Sequence, residues 1–534
     1  MPTITGGVVD QFVLLMLVLL GALVTVPVGE RLGLPPPVLM TLLGILLAVL
    51  PFVPNVDVPP GIVLPLLLPP LLYAAVQRTS WRQFAANWQP IFLLAVALVF
   101  VTTAAVAGAA HLLVPGLPLA AAVALGALVA PPDPVAASAV AGRLGLPRRM
   151  VSLLEGEGLF NDVTAIVLYH VAVAAVVTGA FSWPGALAEF MLSAVVAVLV
   201  GLALGWLGGR LMALLGDATL QVGLSLLVPF AAYALADEWH GSGVLAVLTS
   251  AFYLSDRMFE ADDVFGRFAS ATFWQVVDTL VTGVAFGLIG LELHAVLGTV
   301  HGRLGAVLGW SAVVVAVVVL VRLLWLLPAA WLAKKVGRGD DTEIPLSWRE
   351  TVVMWWAGMR GVASVALALA IPLRAEDGTP FPERPVIVFV AFAVILTTLI
   401  AQGLTLPWLV TRLGVKADTA AERELEKRLA IAAAKAARRR LREIDEAEEL
   451  PEDVVEVLSR RMLDIGLRIS PEVADEERRE AYEQRARRVR LMRRVQGEMM
   501  SAARQVVLEA RRDPGADPVV VSRVLRQLDA RSLR

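Results

Sequence analysis

Three acids and a carboxamide crowd the stretch Glu155-Gly156-Glu157-Gly158-Leu159-Phe160-Asn161-Asp162, at the mouth of an apolar run from Val163 to Val177. Upstream, Ala130-Pro131-Pro132-Asp133-Pro134-Val135-Ala136 sets another acid among three prolines, and downstream Gly358-Met359-Arg360-Gly361 sets an arginine between glycines. Carboxylates in such company can hold a proton or a cation. Ionisable groups inside apolar spans are costly and by default mark an ion or proton path. On a helix Glu157 and Asn161, four apart, share one face, and Glu155 and Asp162, seven apart, share a neighbouring one. Glu155 also fits a loop acid at the interface. Asp162 does not, because the apolar run follows it directly.

The elements that must position these groups are membrane spans. Of 534 residues, 57% are hydrophobic and mean hydropathy is +0.71, against about 45–50% apolar for a soluble chain. A span needs roughly 20 mostly apolar residues. Thirteen segments qualify: 8–28, 34–53, 60–76, 89–114, 118–141, 154–179, 184–212, 219–237, 241–254, 272–294, 304–333, 350–373 and 385–411. The ninth is short. The first has no basic flank and small-residue cleavage site, so it reads as a retained span rather than a signal peptide.

Loop charge orients them. One set of alternate loops holds Arg31, Arg78, Arg82, Arg143, Arg148, Arg149, Arg210, Arg257, Arg267, Lys334, Lys335, Arg338 and Arg349. The other holds little beyond Arg303, Arg374 and Arg384. The Lys/Arg-rich side is cytoplasmic, which puts the N-terminus outside and the tail inside. The net charge of −2 therefore averages an apolar region, 1–415, and a charged tail, 416–534. The tail is rich in Ala, Glu, Arg and Leu, which favours helix. Its basic clusters, Lys435 with Arg438, Arg439 and Arg440 and the stretch Arg485 to Arg494, leave two readings open. They form solvated amphipathic helices packed on each other or on a second subunit, or they bind anionic lipid or the cytoplasmic mouth of the membrane region.

No cysteine is present, which excludes disulfides, thiolate metal sites and cysteine nucleophiles. The five histidines have no metal-ligand spacing, and His111 and His170 read as satisfied imidazoles. The prolines around Asp133 cannot continue a helix. Broken backbone at membrane depth is tolerated only where it is buried in protein or lines a cavity, and its freed carbonyls can hold a cation. Arg360 between glycines marks a second interruption. Interruptions in the fifth and twelfth spans point to an inverted-repeat transporter with a midplane site. Arg360 is then expected to pair with an acid of the other half, Glu157. Arg322 and Glu292 are given no role in transport.

These three motifs, in span order over about 410 residues, resemble the monovalent cation:proton antiporters, and more narrowly the sodium/proton exchanger branch with Asn-Asp in the sixth span. The resemblance implies an all-α polytopic membrane protein of about 13 transmembrane helices with inverted repeats and a cytoplasmic helical tail, forming a homodimer in the cell inner membrane. It implies no enzyme activity, no cofactor and no nucleic-acid partner; Na+ or K+ and protons are cargo in pH homeostasis. Asp162 is implied to bind cation and proton in turn, Asp133 to support the site, Asn161 to stabilise the core, and the Glu157–Arg360 pair to tie the sixth span to the twelfth. The family often has threonine in place of Pro132 and serine in place of Gly158, both hydroxyl ligands. Without them carboxylate, backbone carbonyls and water remain, and potassium transport gains ground over sodium-only selectivity.

Burial disfavours the charged form of a carboxyl group, so proton and cation become alternatives at Asp162. Because Asn161 takes no proton, exchange is expected to be one-for-one and electroneutral. The rivals are another transporter on a similar frame and an intramembrane protease with Asp133 and Asp162 as its dyad; the latter lacks the usual glycine-rich setting of its second acid.

Overall fold

The computed structural model describes residues 4–32, 34–50, 59–77, 88–133, 145–179, 183–215, 217–260, 264–336, 347–417, 419–458, 476–510 and 520, 521, 523 and 524. Among them the chain is helical, with a single isolated bridge between Arg374 and Pro380. It forms two compact units, Met1–Ala417 and Asp418–Arg534.

The first unit holds α1 (Ile4–Leu32), α2 (Pro36–Val49), α3 (Pro60–Val76), α4 (Trp88–Leu113), α5 (Leu119–Val129), α6 (Arg148–Thr178), α7 (Trp183–Leu215), α8 (Ala218–Glu238), α9 (Gly243–Glu260), α10 (Val264–Val300), α11 (Leu304–Val336), α12 (Trp348–Trp356), α13 (Val362–Leu369) and α14 (Arg384–Leu413). Eight helices among the described residues are long and apolar enough to cross a membrane, and shorter apolar helices include Pro36–Val49, Pro60–Val76 and Leu119–Val129. Exposed hydrophobic side chains such as Phe12, Leu199 and Leu324 lie on these helices, as expected where the surrounding medium is lipid rather than water.

α10 packs along α1 and α2, and α7, α8 and α9 pack on one another. α5 packs between α4 and α6, while α11 lies against α4 and α14. Glycine sets the closest approaches. A Cβ on Gly44 of α2 would strike the Gly287 carbonyl of α10, and one on Gly126 of α5 would strike the Thr103 carbonyl of α4. Small residues allow such backbone contact between helices in lipid, where packing rather than water exclusion holds spans together.

Two places leave the helix. α5 ends at Val129, and Ala130 to Asp133 continue without helical bonding. α12 ends at Trp356, and helix resumes only at Val362 after Gly361 in extended backbone. The prolines after Val129 and the glycines on either side of Arg360 account for both, since the first remove donors and clash and the second weaken helix. Residues 134–144, which include Pro134 and the end of the 118–141 segment, lie outside the described residues. α4 and α14 each contain a π turn, Leu93–Ala97 and Thr398–Gln402.

The second unit holds α15 (Thr419–Glu448) and α16 (Glu476–Ala510). In α15 the basic cluster is solvent-facing, and Arg440 pairs with Glu443 one turn on at 3.0 Å. Such exposed pairs contribute little.

Candidate ion-binding site

The two non-helical stretches meet. The Asp133 N–H donates to the Met359 carbonyl at 2.6 Å, so the break after α5 is hydrogen-bonded directly to the break after α12. Arg360 completes the crossing. Its Nε donates to the Val129 carbonyl at 2.8 Å and its Nη2 to the Ala130 carbonyl at 3.1 Å, while Nη1 bonds the Gly358 carbonyl. A cation is thus set on the last carbonyls of α5, where the helix dipole is negative. The Arg360 N–H donates to Thr398 Oγ1 at 3.2 Å, at the first residue of the π turn in α14. Thr398 passes its own proton back to the Val394 carbonyl at 2.9 Å.

α6 runs past this crossing. Asn161 is fully buried, and its Nδ2 donates to the Pro132 carbonyl at 2.8 Å. Its Oδ1 has no hydrogen-bond partner. Asp162, next along α6, is half-buried, and the Asp133 carboxylate, also half-buried, lies within electrostatic reach of it. A Cβ at Gly361 would collide with that same Asp133 carboxylate. Asp162, Asp133, Asn161 and Pro132 are therefore gathered at one place. Gly158 is buried one turn before Asp162 on α6.

Glu157 does not pair with Arg360. Its carboxylate forms a two-pronged ion pair with Arg322 of α11: Arg322 Nη1 bonds Oε1, and Nη2 donates to Oε2 at 2.9 Å. Arg322 also donates to the Met354 carbonyl at the end of α12, from Nε at 3.3 Å and from Nη2 at 3.2 Å. The reason is steric. A Cβ on Gly358 would lie 2.6 Å from Arg322 Cδ, so the glycine ahead of Arg360 is the gap through which Arg322 reaches Glu157. Arg360 feels both charges, but its own hydrogen bonds go to main-chain carbonyls. Arg322 of the eleventh span thus joins Glu157 of α6 to the Met354 carbonyl of α12, where a Glu157–Arg360 pair was expected.

Arg322 is the residue whose role the sequence did not yield; its signal was a lone formal charge in a long apolar run. The freed carbonyls are also more occupied than expected. Those of Val129, Ala130, Pro132, Gly358 and Met359 each accept a protein hydrogen bond. His111 bonds the Leu117 carbonyl at 2.8 Å, and His170 lies on the outer surface of α6 with its ring 5.7 Å from Tyr169. No cluster of three or more His, Cys, Asp or Glu that could hold a resident metal occurs among the described residues.

At the basic-loop end, the Ser347 side chain and Glu350 form a capping box at the start of α12, and Arg149 at the start of α6 pairs with Glu350 at 2.5 Å. At the other end Arg303 forms a two-pronged bond with Glu383 at 3.3 and 3.0 Å.

The transmembrane sodium/hydrogen exchanger profile matches residues 15–412. The chain belongs to the sodium/hydrogen exchanger family. Over 536 aligned residues the exchanger is 33% identical to an uncharacterized Na+/H+ exchanger of Mycobacterium tuberculosis, covering 98% of this chain and 95% of that protein. It is 32% identical over 385 residues to a sodium, potassium, lithium and rubidium/H+ antiporter of Bacillus subtilis, covering 70% and 57% respectively. Its fold is similar to that of the sodium proton antiporter MjNhaP1 of Methanocaldococcus jannaschii, with a TM-score of 0.59 at 20% identity over 75% of this chain and 98% of that one. The exchanger is an integral, multi-pass membrane protein of the cation/proton antiport class and not an enzyme, so the two-aspartate protease reading falls.

Proposed function

We propose that the exchanger moves Na+ or K+ against protons by alternating access at one carboxylate, Asp162, with electroneutral one-for-one stoichiometry. The observation that carries this is the position of Asp162: half-buried beside Asp133, where two non-helical stretches are hydrogen-bonded to each other. A carboxylate taken out of water binds either a proton or a cation, because an unpaired charge there is costly. Asp133 supports the site, Asn161 fixes the crossing through Pro132, and Glu157 and Arg360 hold α6 and α5 in place around it.

Potassium stands beside sodium as cargo. Pro132 and Gly158 supply no hydroxyl, and the Bacillus subtilis relative is named for sodium, potassium, lithium and rubidium. The reading includes thirteen crossings, an N-terminus outside, a cytoplasmic and regulatory second unit, and a homodimer in the cell inner membrane. Loop charge supports the orientation.

The test is a pH-sensitive dye inside proteoliposomes, with Na+, K+ and Li+ titrated separately. Asp162→Asn should abolish cation-driven proton movement for every cation while the protein stays monodisperse in detergent. Exchange at the wild-type rate in that variant would reject the assignment. The wild-type rate should fall at low pH, where protons outcompete the cation, and at high pH, where no proton is available to return.

A further inference from the structure

Hydroxyls inside the spans of this protein mostly bond back along their own helix. Thr41 donates to Pro37, Thr164 to Phe160, Thr249 to Leu245 and Ser311 to Val307. Ser364 does not. It is 1% exposed, and its Oγ has no hydrogen-bond partner among the described residues. A stranded hydroxyl is costly and calls for an explanation.

Its place on α13 supplies one. Gly361 is the N-cap of this eight-residue helix and makes no side-chain cap bond. A Cβ there would collide with the Asp133 carboxylate, so that carboxylate stands where the helix's own capping side chain would be. Val362, Ala363 and Ser364 follow as the first three helical residues, and in a capping box the side chain at that third position reaches back to the N-cap backbone. Ser364 thus holds the third helical position after the glycine whose Cβ would meet the Asp133 carboxylate. The Asn161 Oδ1 atom is also buried and without a partner, on a side chain whose Nδ2 bonds the carbonyl of Pro132, the residue before Asp133. Two buried uncharged oxygens thus lack a protein partner, one on the helix whose N-cap meets Asp133 and one on the side chain bonded to Pro132.

We propose that Ser364 Oγ is a ligand of the transported cation, supplying from the twelfth span the hydroxyl that Pro132 and Gly158 lack. The assignment rests on the reading of Asp162 as the ion carrier. A desolvated alkali cation needs several oxygens to replace its water. A proton on Asp162 needs none. Ser364 therefore acts on the cation-loaded half of the cycle alone.

The experiment measures proteoliposome exchange for Ser364→Ala, Ser364→Cys and Ser364→Thr against wild type. Ser270→Ala is the control, because Ser270 is another buried hydroxyl without a partner, on α10. Ser364→Ala and Ser364→Cys should raise the KM for Na+ or K+ about tenfold, the scale of one lost polar contact to a charged group. The acid limb of the pH profile at fixed cation should move up by about one unit, since a weaker cation loses to fewer protons. Ser364→Thr should keep both values near wild type, and Ser270→Ala should move neither. Unchanged KM and acid limb in Ser364→Ala would overturn the proposal, as would equal losses in the alanine, cysteine and threonine variants or an equal shift in Ser270→Ala. Exchange by Asp162→Asn would instead sink the carrier reading itself, a separate outcome.

Discussion

Removing one partner of a buried ion pair leaves the other charge without water or counter-charge, so the loss exceeds what the pair itself contributes. Glu157 and Arg322 are in that position, with side chains 1% and 3% exposed. Arg322→Met should destabilise the exchanger by about 3–5 kcal/mol, measured as a fall in the tryptophan-fluorescence melting temperature in detergent. Glu157→Gln made in the same chain should recover part of that loss. The coupling energy of a Glu157/Arg322 double-mutant cycle should exceed that of a Glu157/Arg360 cycle, because Arg360 shares only through-space charge with Glu157 while its hydrogen bonds go to carbonyls. Equal coupling in the two cycles would contradict the pairing seen here. Sequence could not have chosen between the two arginines. Each is a lone charge in an apolar run, and the glycines that drew attention to Arg360 include Gly358, whose missing side chain makes room for Arg322.

At the scale of elements, the candidate site is a crossing of helix ends rather than a surface of whole helices. Proline and glycine announce such ends: α5 stops at Val129 ahead of Pro131, and α12 stops ahead of Gly358. What holds the breaks together was not legible. The bond from Asp133 to Met359 joins main-chain atoms, which any residue carries. The π turn that presents Thr398 to Arg360 has no composition of its own. Gly361 is where element and site meet. Gly361→Ala should push the Asp133 carboxylate off the start of α13 and cut exchange by at least about tenfold, a loss of some 1.4 kcal/mol, in protein that still elutes as a single species. Gly309→Ala on α11 is the comparison, because a Cβ there meets nothing within 4 Å. It should leave exchange intact and raise stability by up to about 1 kcal/mol, the ordinary gain of alanine over glycine inside a helix. Similar exchange in the two variants would mean that Asp133 does not depend on its place at the helix end.

At the scale of the molecule, the division into an apolar region and a charged tail follows from composition, since only the first can shed water on all sides. The proposed stoichiometry rests on which charges can leave. Arg360 is fixed on the carbonyls of α5, and Glu157 is fixed on Arg322. The Asp133 carboxylate stands at the N-terminal end of α13, whose dipole favours a negative charge in either half of the cycle. Asn161 is neutral throughout. On the proposed mechanism Asp162 is left as the group that alternates, so one cation carried one way would be balanced by one proton carried the other. A sodium jump applied to proteoliposomes adsorbed on a solid-supported membrane should then give no sustained current, while a dye in the same vesicles reports proton movement. Were Asp133 to exchange its proton as well, each cycle would move one net charge, and the jump would produce a current that grows with protein density. That current, vanishing in Asp162→Asn, would reject one-for-one exchange while leaving Asp162 as the carrier.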